Sequence, residues 1–272
     1  MHLEHDAVAI EQFHLTFLRV FSSAYRPDQY VLKGGANLRY FFGSVRYSND
    51  IDFDSVSGDR WKLEQVVDGV LAGTALGSIL RVSGMRVVEF SKPKQTDTTQ
   101  RWKVGLERNG QAALIRTKIE FSRRVDDRRF ELVQVPQRVV DPYGIVPPMV
   151  QRYGLTAMIE QKVAALALRG ETKARDVFDL DLLLRQRTKL AEPAEVHSEH
   201  FADAAERASQ LPFSSFKTQV LPFLEPAVAG LYSESQAWER MKAFVGERIG
   251  ALGTSPQPPP LPGRRYGLGG LR

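Results

Sequence analysis

Apolar residues recur every three to four positions over residues 7–24, which predicts an amphipathic helix near the start of the chain. An apolar run at 30–32 predicts a short strand that ends at a glycine pair, followed by a short helix. Polar and apolar residues alternate over 49–53, as in a half-buried strand. Helical spacing returns over 59–75. The first part of the chain therefore mixes helices and strands.

The pattern changes twice more along the chain. Between about 79 and 135 it is strand-like, with apolar runs at 87–90, 102–106, 115–121 and 130–135 separated by polar or glycine-containing turns. After Pro147-Pro148 the spacing predicts helices only, at 155–169, 175–186, 195–209 and 235–251.

These patterns predict an α+β protein with three parts. Residues 1–148 form a domain with a mixed sheet and flanking helices, and residues 149–252 form an all-helical domain. Residues 253–272 hold five prolines and five glycines. They have too few apolar side chains to build a core and are expected to form a flexible tail.

The amino-acid composition limits the cellular compartments and the kinds of metal site that are consistent with this chain. The chain has no cysteine, which excludes disulfides and thiolate zinc sites and favours a reducing cytoplasm. The N-terminus lacks the basic and apolar regions of a signal peptide, and no apolar run approaches the roughly 18 residues of a membrane helix. We therefore expect a cytoplasmic protein without a membrane partner.

The net charge of +5 is concentrated in one stretch. Residues 101–129 contain nine Lys and Arg against four Asp and Glu, and the densest part holds Arg123, Arg124, Arg128 and Arg129. A solvated strand face and a surface for nucleic-acid phosphates are both consistent with this pattern.

The strongest chemical pattern is a pair of aspartates on one strand. Asp50 and Asp52 are two residues apart, so their side chains project from the same face of a strand. Two adjacent carboxylates repel each other unless a cation lies between them, and Mg²⁺ or Mn²⁺ prefers such oxygen ligands. Glu120, on the polar face of a later alternating strand, is the candidate third metal ligand.

A glycine pair precedes these carboxylates. Gly34-Gly35 follows a strand and opens a helix, where backbone amides and the helix dipole favour phosphate, which predicts a site for the triphosphate of an NTP. Gly43-Ser44 also precedes Asp50 but leaves too few residues for the intervening helix.

Four polar side chains near the glycine pair are candidate nucleotide-binding residues. They are Lys33, Arg39, Arg46 and Ser48. An arginine here could neutralise triphosphate or pair with Asp50, and for both arginines a structural ion pair is an equal alternative.

Two segments together resemble a known family. Residues 32–39, Leu-Lys-Gly-Gly-Ala-Asn-Leu-Arg, and residues 46–53, Arg-Tyr-Ser-Asn-Asp-Ile-Asp-Phe, resemble the AbiEii/AbiGii toxin nucleotidyltransferases, which include MenT-type toxins of the DNA polymerase β-like superfamily. Later motifs at 158–169 and 175–180 match in order and spacing. One departure is Gln161, because this position is commonly acidic in the family.

The resemblance implies a function and roles for individual residues. Asp50 and Asp52 would bind metal, Lys162 would contact nucleotide phosphate, and Asp176 would act as a base or a positioning carboxylate. The fold would be a polymerase β-like nucleotidyltransferase domain followed by helices. The reaction would move an NMP from an NTP to RNA, at the 3′ end of tRNA, and block growth in a toxin–antitoxin or phage-defence system. A winged-helix antitoxin would be the partner.

Other functions stay open at this point. Nucleotide transfer to a small molecule or a protein uses the same site, although the basic stretch favours RNA. A non-catalytic RNA-binding module is a further alternative, but adjacent carboxylates would repel RNA.

Overall fold

The protein is described by a computed structural model over residues 2–56, 59–123, 130–190 and 195–254. Within these residues one mixed sheet has the strand order β3-β4-β5-β2-β1-β7-β6. The strands are β1 (Tyr30–Lys33), β2 (Asp50–Ser55), β3 (Met85–Gln95), β4 (Thr99–Arg108), β5 (Ile115–Ser122), β6 (Phe130–Gln134) and β7 (Met149–Tyr153). The pairs β2–β5 and β1–β7 are parallel, and the other neighbours are antiparallel.

Helices surround this sheet and continue after it. They are α1 (His2–Ala24), α2 (Gly34–Phe41), α3 (Arg60–Ala72), α4 (Thr74–Val82), α5 (Gln137–Val140), α6 (Leu155–Leu168), α7 (Ala174–Arg187), α8 (Phe201–Ser209), α9 (Phe213–Gln219), α10 (Pro226–Ala229) and α11 (Ser235–Thr254). Short 3-10 turns lie at 27–29, 141–143, 221–223 and 230–232. The predicted α+β class is confirmed.

The alternation of side chains gives the sheet two different faces. One face is apolar and packs against α1, α3 and α4, with the Phe53 and Phe121 rings stacked at 4.8 Å and Trp102 fully buried beside them. The other face carries charged residues on β2 and β5 and is covered in part by the C-terminal helices. Val31 and Tyr153 join the sheet to the core of those helices. Burial of the apolar face supplies the main stabilisation of the sheet.

Three element predictions were wrong. The chain does not turn wholly helical after Pro147-Pro148, because β7 pairs with β1 and β6 and the change to helices falls at Gly154. The predicted helix at 195–209 begins only at Phe201. The predicted helix at 59–75 is two helices, since Gly73 is extended (ψ 150). Each error has its cause in tertiary packing or in one backbone dihedral angle, and the spacing of apolar residues along the chain reports neither.

One stretch, Arg60–Val82, is apolar and long enough by length and composition to cross a membrane, against the sequence expectation. In the structure it is interrupted at Gly73 and folds as α3 and α4. Leu63, Val67 and Leu76 are fully buried in the core beneath the sheet. One side of the stretch is therefore part of the protein core.

Candidate active site

Three carboxylates, not two, project from the charged face of β2. Asp50, Asp52 and Asp54 alternate with Ile51 and Phe53, which are fully buried on the apolar face. Asp54 was not predicted as a site residue, although the same alternation includes it. It is buried, forms an ion pair with Lys33, and accepts a hydrogen bond from the Tyr153 hydroxyl at 2.8 Å.

Glu120 is directly opposite Asp52 in the parallel pairing of β2 with β5. Its strand position places it on the charged face, as its parity predicted. The carboxylate forms an ion pair with Arg101 Nε at 2.6 Å. Asp50 forms a similar pair with Lys118 Nζ at 2.8 Å. Two of the three predicted metal ligands are thus neutralised by neighbouring side chains.

Asp52 differs from its neighbours. Among the described residues no side chain forms a hydrogen bond or ion pair with its carboxylate. Burial and the charge of Asp50 raise the pKa of Asp52 to about 6. Asp52 is therefore the carboxylate of this face whose negative charge is least compensated.

The glycine pair lies against the carboxylates. Gly34 has a φ of +68° and opens α2, and a Cβ at this position would be 2.8 Å from Asp52 Oδ2. A Cβ on Gly35 would be 2.5 Å from Ser48 Oγ. Ser48 itself donates to the Asp50 carbonyl at 2.9 Å. Only glycine therefore allows the start of α2, with its unpaired amides, to approach the carboxylates this closely.

A cavity of about 340 Å³, the first cavity, contains these groups. Its sheet side is formed by the glycine pair, Ser48, Asp50, Asp52 and Glu120, and its helical side by Lys162, Arg169 and Arg175. Arg175 is exposed and was not predicted as a site residue. The cavity thus brings together residues from both halves of the chain.

Beside the cavity lies a cation–carboxylate cluster, formed by Arg46, Lys162, Arg169, Asp176 and Asp179, of which all but Arg169 are buried. Asp179 accepts from Lys162 Nζ at 2.6 Å and from Arg46 Nη2 at 3.0 Å. Asp176 accepts from Lys162 Nζ at 2.9 Å and pairs with Arg169. The cluster holds three cations and two carboxylates.

The charges of this cluster stabilise one another. Burial opposes the charged form of Lys162, but Asp176 and Asp179 outweigh it and the pKa of Lys162 is raised. Burial likewise opposes the charge of Asp179, but Arg46 and Lys162 prevail and the pKa of Asp179 is lowered. Lys162 therefore stays protonated and presents positive charge to the cavity.

Asp176 is not placed to act as a base. It is fully buried, and Lys162 and Arg169 bind both of its oxygens. It lines neither the first cavity nor a neighbouring cavity of about 570 Å³. Of the two predicted roles, only that of a positioning carboxylate fits this geometry. Asp179, which was not predicted as a site residue, is likewise fully buried and bound by Lys162 and Arg46.

The two arginines near the glycine pair have different places. Arg46 lines the cavity but pairs with Asp179, not with Asp50. Arg39 lies outside the cavity, because Glu11, Glu225 and the Ser44 carbonyl bind its guanidinium elsewhere. Its prediction as a nucleotide-binding residue was wrong, and the alternative of a structural ion pair is what the structure shows.

Lys33 and Ser48 both line the first cavity, together with Gly34 and Gly35. Lys33 Nζ is bound to Asp54, so its charge is directed at the carboxylate face. The rejected alternative, Gly43, lines neither this cavity nor the one beside it, and open space surrounds it.

Of the four predicted RNA-binding arginines, Arg123 lies in the described part of the chain. Arg123 donates to Ser55 and Gln100, and the Gln100 side chain lies on the apolar side of the sheet, away from the carboxylates. Arg123 therefore lies away from the carboxylates, and its contact with RNA stays a prediction. Arg124, Arg128 and Arg129 lie outside the described residues.

A buried histidine supports the start of β2. The Thr117 hydroxyl donates to the Asn49 carbonyl at 2.7 Å, and since it has one proton, His14 Nε2 at 2.7 Å must be the donor to Thr117. Burial lowers the pKa of His14 to about 3. His14 is therefore neutral. The two hydrogen bonds that run from His14 through Thr117 to the Asn49 carbonyl hold the backbone next to Asp50.

The residues partly fit a divalent cation. The oxygens of Asp50 and Asp52 suit Mg²⁺ or Mn²⁺, and such a cation would offset the repulsion between the two carboxylates. However, no three His, Asp or Glu side chains converge into a metal-holding group within the described ranges. Arg101 Nε holds one Glu120 oxygen at 2.6 Å, so this ion pair competes with a cation for the Glu120 carboxylate.

The sequence of the chain decides its family. Residues 16–247 match the family described as nucleotidyl transferase AbiEii toxin, type IV toxin–antitoxin system. The protein belongs to this family. The predicted family is confirmed, and with it the class of toxin nucleotidyltransferase that uses an NTP and has an antitoxin partner. A search among curated proteins finds no match.

Solved structures support the fold of this AbiEii-family protein. JHP933 from Helicobacter pylori has a TM-score of 0.56 at 20% identity, over 91% of this chain and 94% of that chain. MenT4, a nucleotidyltransferase toxin from Mycobacterium tuberculosis H37Rv, has a TM-score of 0.52 at 18% identity, over 93% and 95%. The predicted nucleotidyltransferase fold with a helical C-terminal region is confirmed.

Proposed function

We propose that this AbiEii-family protein transfers an NMP from an NTP to a hydroxyl of RNA, at the 3′ end of tRNA, and releases pyrophosphate. The acceptor oxygen forms a bond to the α-phosphorus as the bond to the pyrophosphate oxygen breaks, and the hydroxyl proton passes to solvent. The observation that supports this function best is the first cavity, where Asp50 and Asp52 lie together and Asp52 approaches Gly34 as closely as only glycine permits.

The residues around the triphosphate have separate roles in binding its phosphate oxygens and in neutralising its charge. The free amides at the start of α2 bind phosphate oxygens, and Lys162 adds a fixed positive charge held in place by Asp176 and Asp179. Arg175 is exposed at the same cavity and can reach the leaving pyrophosphate. These donors are held before the reaction, so little reorganisation is needed in the transition state.

The carboxylate face holds the reacting end of the nucleotide. Asp50 and Asp52 would bind Mg²⁺ or Mn²⁺, with Glu120 as a third ligand, for whose carboxylate the cation competes with Arg101. A bound divalent cation supplies neutralisation of the triphosphate and a lower pKa for the acceptor hydroxyl.

The biological consequence is a growth block through damage to tRNA in the cytoplasm, with a winged-helix antitoxin as the partner and phage defence as the setting. Among acceptors, RNA is favoured over a small molecule by exposed lysines of β3 and β4. Lys94 lines the cavity beside Asp52, and Lys103 shares the charged face with Glu120.

The test is transfer by the purified protein. It is incubated with each of the four NTPs labelled at the α-phosphate, with Mg²⁺ and total tRNA, and labelled tRNA is the expected product. The variants Asp50→Ala and Asp52→Ala should abolish transfer and toxicity while staying folded. Asp203→Ala, on the exposed side of α8, is the matched control and should keep both. Full toxicity in a soluble double variant would refute the function.

A further inference from the structure

A second cavity of about 570 Å³ lies beside the first. The two share Lys33, Gly34, Asp52, Glu120, Lys162 and Arg169, so they meet at the reacting carboxylates. Its volume is within the roughly 300–1,000 Å³ of small-molecule sites. A group bound there would be adjacent to a phosphate held against Asp52.

The second cavity differs from the first in its chemistry. Beyond the shared residues the charged side chains of the first are Arg46, Lys118 and Arg175, three cations that suit phosphate, and the single anion Asp50. The second adds mostly apolar or neutral side chains, together with Asp54 and Lys94. The added uncharged residues are Thr99, Ser122, Tyr153, Met158, Gln161, Ala164 and Ala165. Such a lining suits an uncharged, partly apolar ligand with a few hydrogen-bonding groups.

The helical wall of this cavity comes from one stripe of α6. Met158, Gln161 and Ala165 follow one another at intervals of three and four residues, so they lie on one face of the helix. The small side chain of Ala165 leaves the space that the cavity occupies. Lys162 on the same stripe reaches the cation–carboxylate cluster. The same face of α6 therefore lines the second cavity and carries Lys162, which also lines the first cavity.

Three polar side chains of the second cavity are available to form hydrogen bonds with a ligand. Within the described chain the Gln161 amide forms no hydrogen bond, and neither do the hydroxyls of Thr99 and Ser122. Thr99 and Ser122 are paired across β4 and β5 on the charged face. An amide offers two donors and an acceptor, which is the pattern needed to read the edge of a base.

We infer that the second cavity binds the nucleoside part of a substrate, with Gln161 as the residue that reads its base. The ribose would lie beside Asp52, because the two cavities meet there. The base would lie between Met158, Ala165 and the sheet. This inference rests on the proposed nucleotidyl transfer and adds the place and the reader of a nucleoside.

Two nucleosides could occupy this site: that of the NTP and the terminal one of the RNA acceptor. Their chemistry is the same, and kinetics with Gln161→Leu and Gln161→Glu separate them. If the NTP nucleoside binds here, the ratio of kcat/KM among the four NTPs changes. If the acceptor nucleoside binds here, KM for tRNA rises and the NTP ratios stay. Loss of one net hydrogen bond predicts an effect of about fivefold.

A second variant fills the cavity. Ala165→Leu places extra volume where the base would lie and should weaken binding of the same nucleoside by at least as much. Matched controls are Gln236→Leu and Ala202→Leu, since both residues are exposed on other helices and line neither cavity. Thermal unfolding of each variant confirms that it folds.

Calorimetry without the reaction separates this inference from the proposed function. Binding of each NTP, of inorganic triphosphate and of tRNA is titrated separately. Weaker binding of NTP or tRNA in Ala165→Leu, with triphosphate binding unchanged, supports the nucleoside site even if no transfer is detected. Unchanged binding of NTP and tRNA in all three variants, or a parallel loss of triphosphate, overturns it. Active transfer together with such a result would leave the proposed function standing.

Discussion

The approach of Gly34 to Asp52 gives a sharp test of the site. Gly34 and Gly43 both have a φ of +68°, so an alanine at either position carries the same backbone strain. That strain costs roughly 1–2 kcal/mol in the left-handed region. The neighbours differ. A Cβ on Gly34 would be 2.8 Å from Asp52 Oδ2, whereas a Cβ on Gly43 meets nothing within 4 Å. The pair therefore separates strain from contact.

The magnitude follows from the contact distance. To restore an ordinary separation of at least 3.4 Å, the Asp52 carboxylate or the start of α2 must move by 3.4 − 2.8, about 0.6 Å. A displacement near 1 Å at a reacting group costs roughly 100-fold in rate. We therefore expect Gly34→Ala to lower kcat by about 10- to 100-fold and Gly43→Ala to leave it within about twofold.

The assay combines unfolding and transfer. Both variants should lose stability to a similar degree, about 2–4 °C in Tm per kcal/mol for a chain of this size. Initial rates with labelled NTP and tRNA are then compared at a temperature where both are folded. Equal activity in the two variants would refute the role of the close approach. A much larger fall in Tm for Gly34→Ala would show that the contact serves folding.

Four other outcomes can be checked. Lys162→Ala should raise KM for NTP more than KM for tRNA, because the ammonium faces the cavity; a change in tRNA affinity alone would contradict this. Glu120→Gln should lower turnover sharply with little change in Tm, whereas full activity would leave two acidic ligands. His14 takes up a proton below pH 6.5 in the unfolded state but only near pH 3 in the folded state. The free energy of unfolding should therefore fall as pH drops below 6.5, by about 2 kcal/mol at pH 5. Denaturant unfolding of His14→Gln should show no such loss. Reversing Lys94 and Lys103 to glutamate should flatten the log–log salt dependence of tRNA binding by roughly 0.7–0.9 for each lost phosphate contact, and an unchanged slope would remove both from the RNA path.

Local patterns determined the parts of the site that lie close together in the chain. The alternation over β2 and β5 gave the shared face of Asp50, Asp52 and Glu120, because a strand turns every second side chain to one side. The glycine pair after β1 predicted the turn that opens α2, because the positive φ of Gly34 favours glycine. The two motifs, with the later helical ones, also determined the family.

Only the tertiary structure decided which charges face one another. Arg39 and Arg46 look equivalent in the sequence, yet Arg39 is bound by Glu11 on α1 and Arg46 by Asp179 on α7, residues far away along the chain. Asp176 is closed off for the same reason, because Lys162 and Arg169 reach it from α6 and its C-terminal end.

The two cavities and the third carboxylate of β2 also depend on packing. The space beside Asp52 exists because α6 places small side chains such as Ala165 opposite the sheet, and no local pattern encodes the distance between two elements. Asp54 shares the alternation of Asp50 and Asp52, but only the fold gives it Lys33 and Tyr153 as partners. Spacing along a chain fixes the direction of a side chain, and what that side chain meets is fixed by elements distant in sequence.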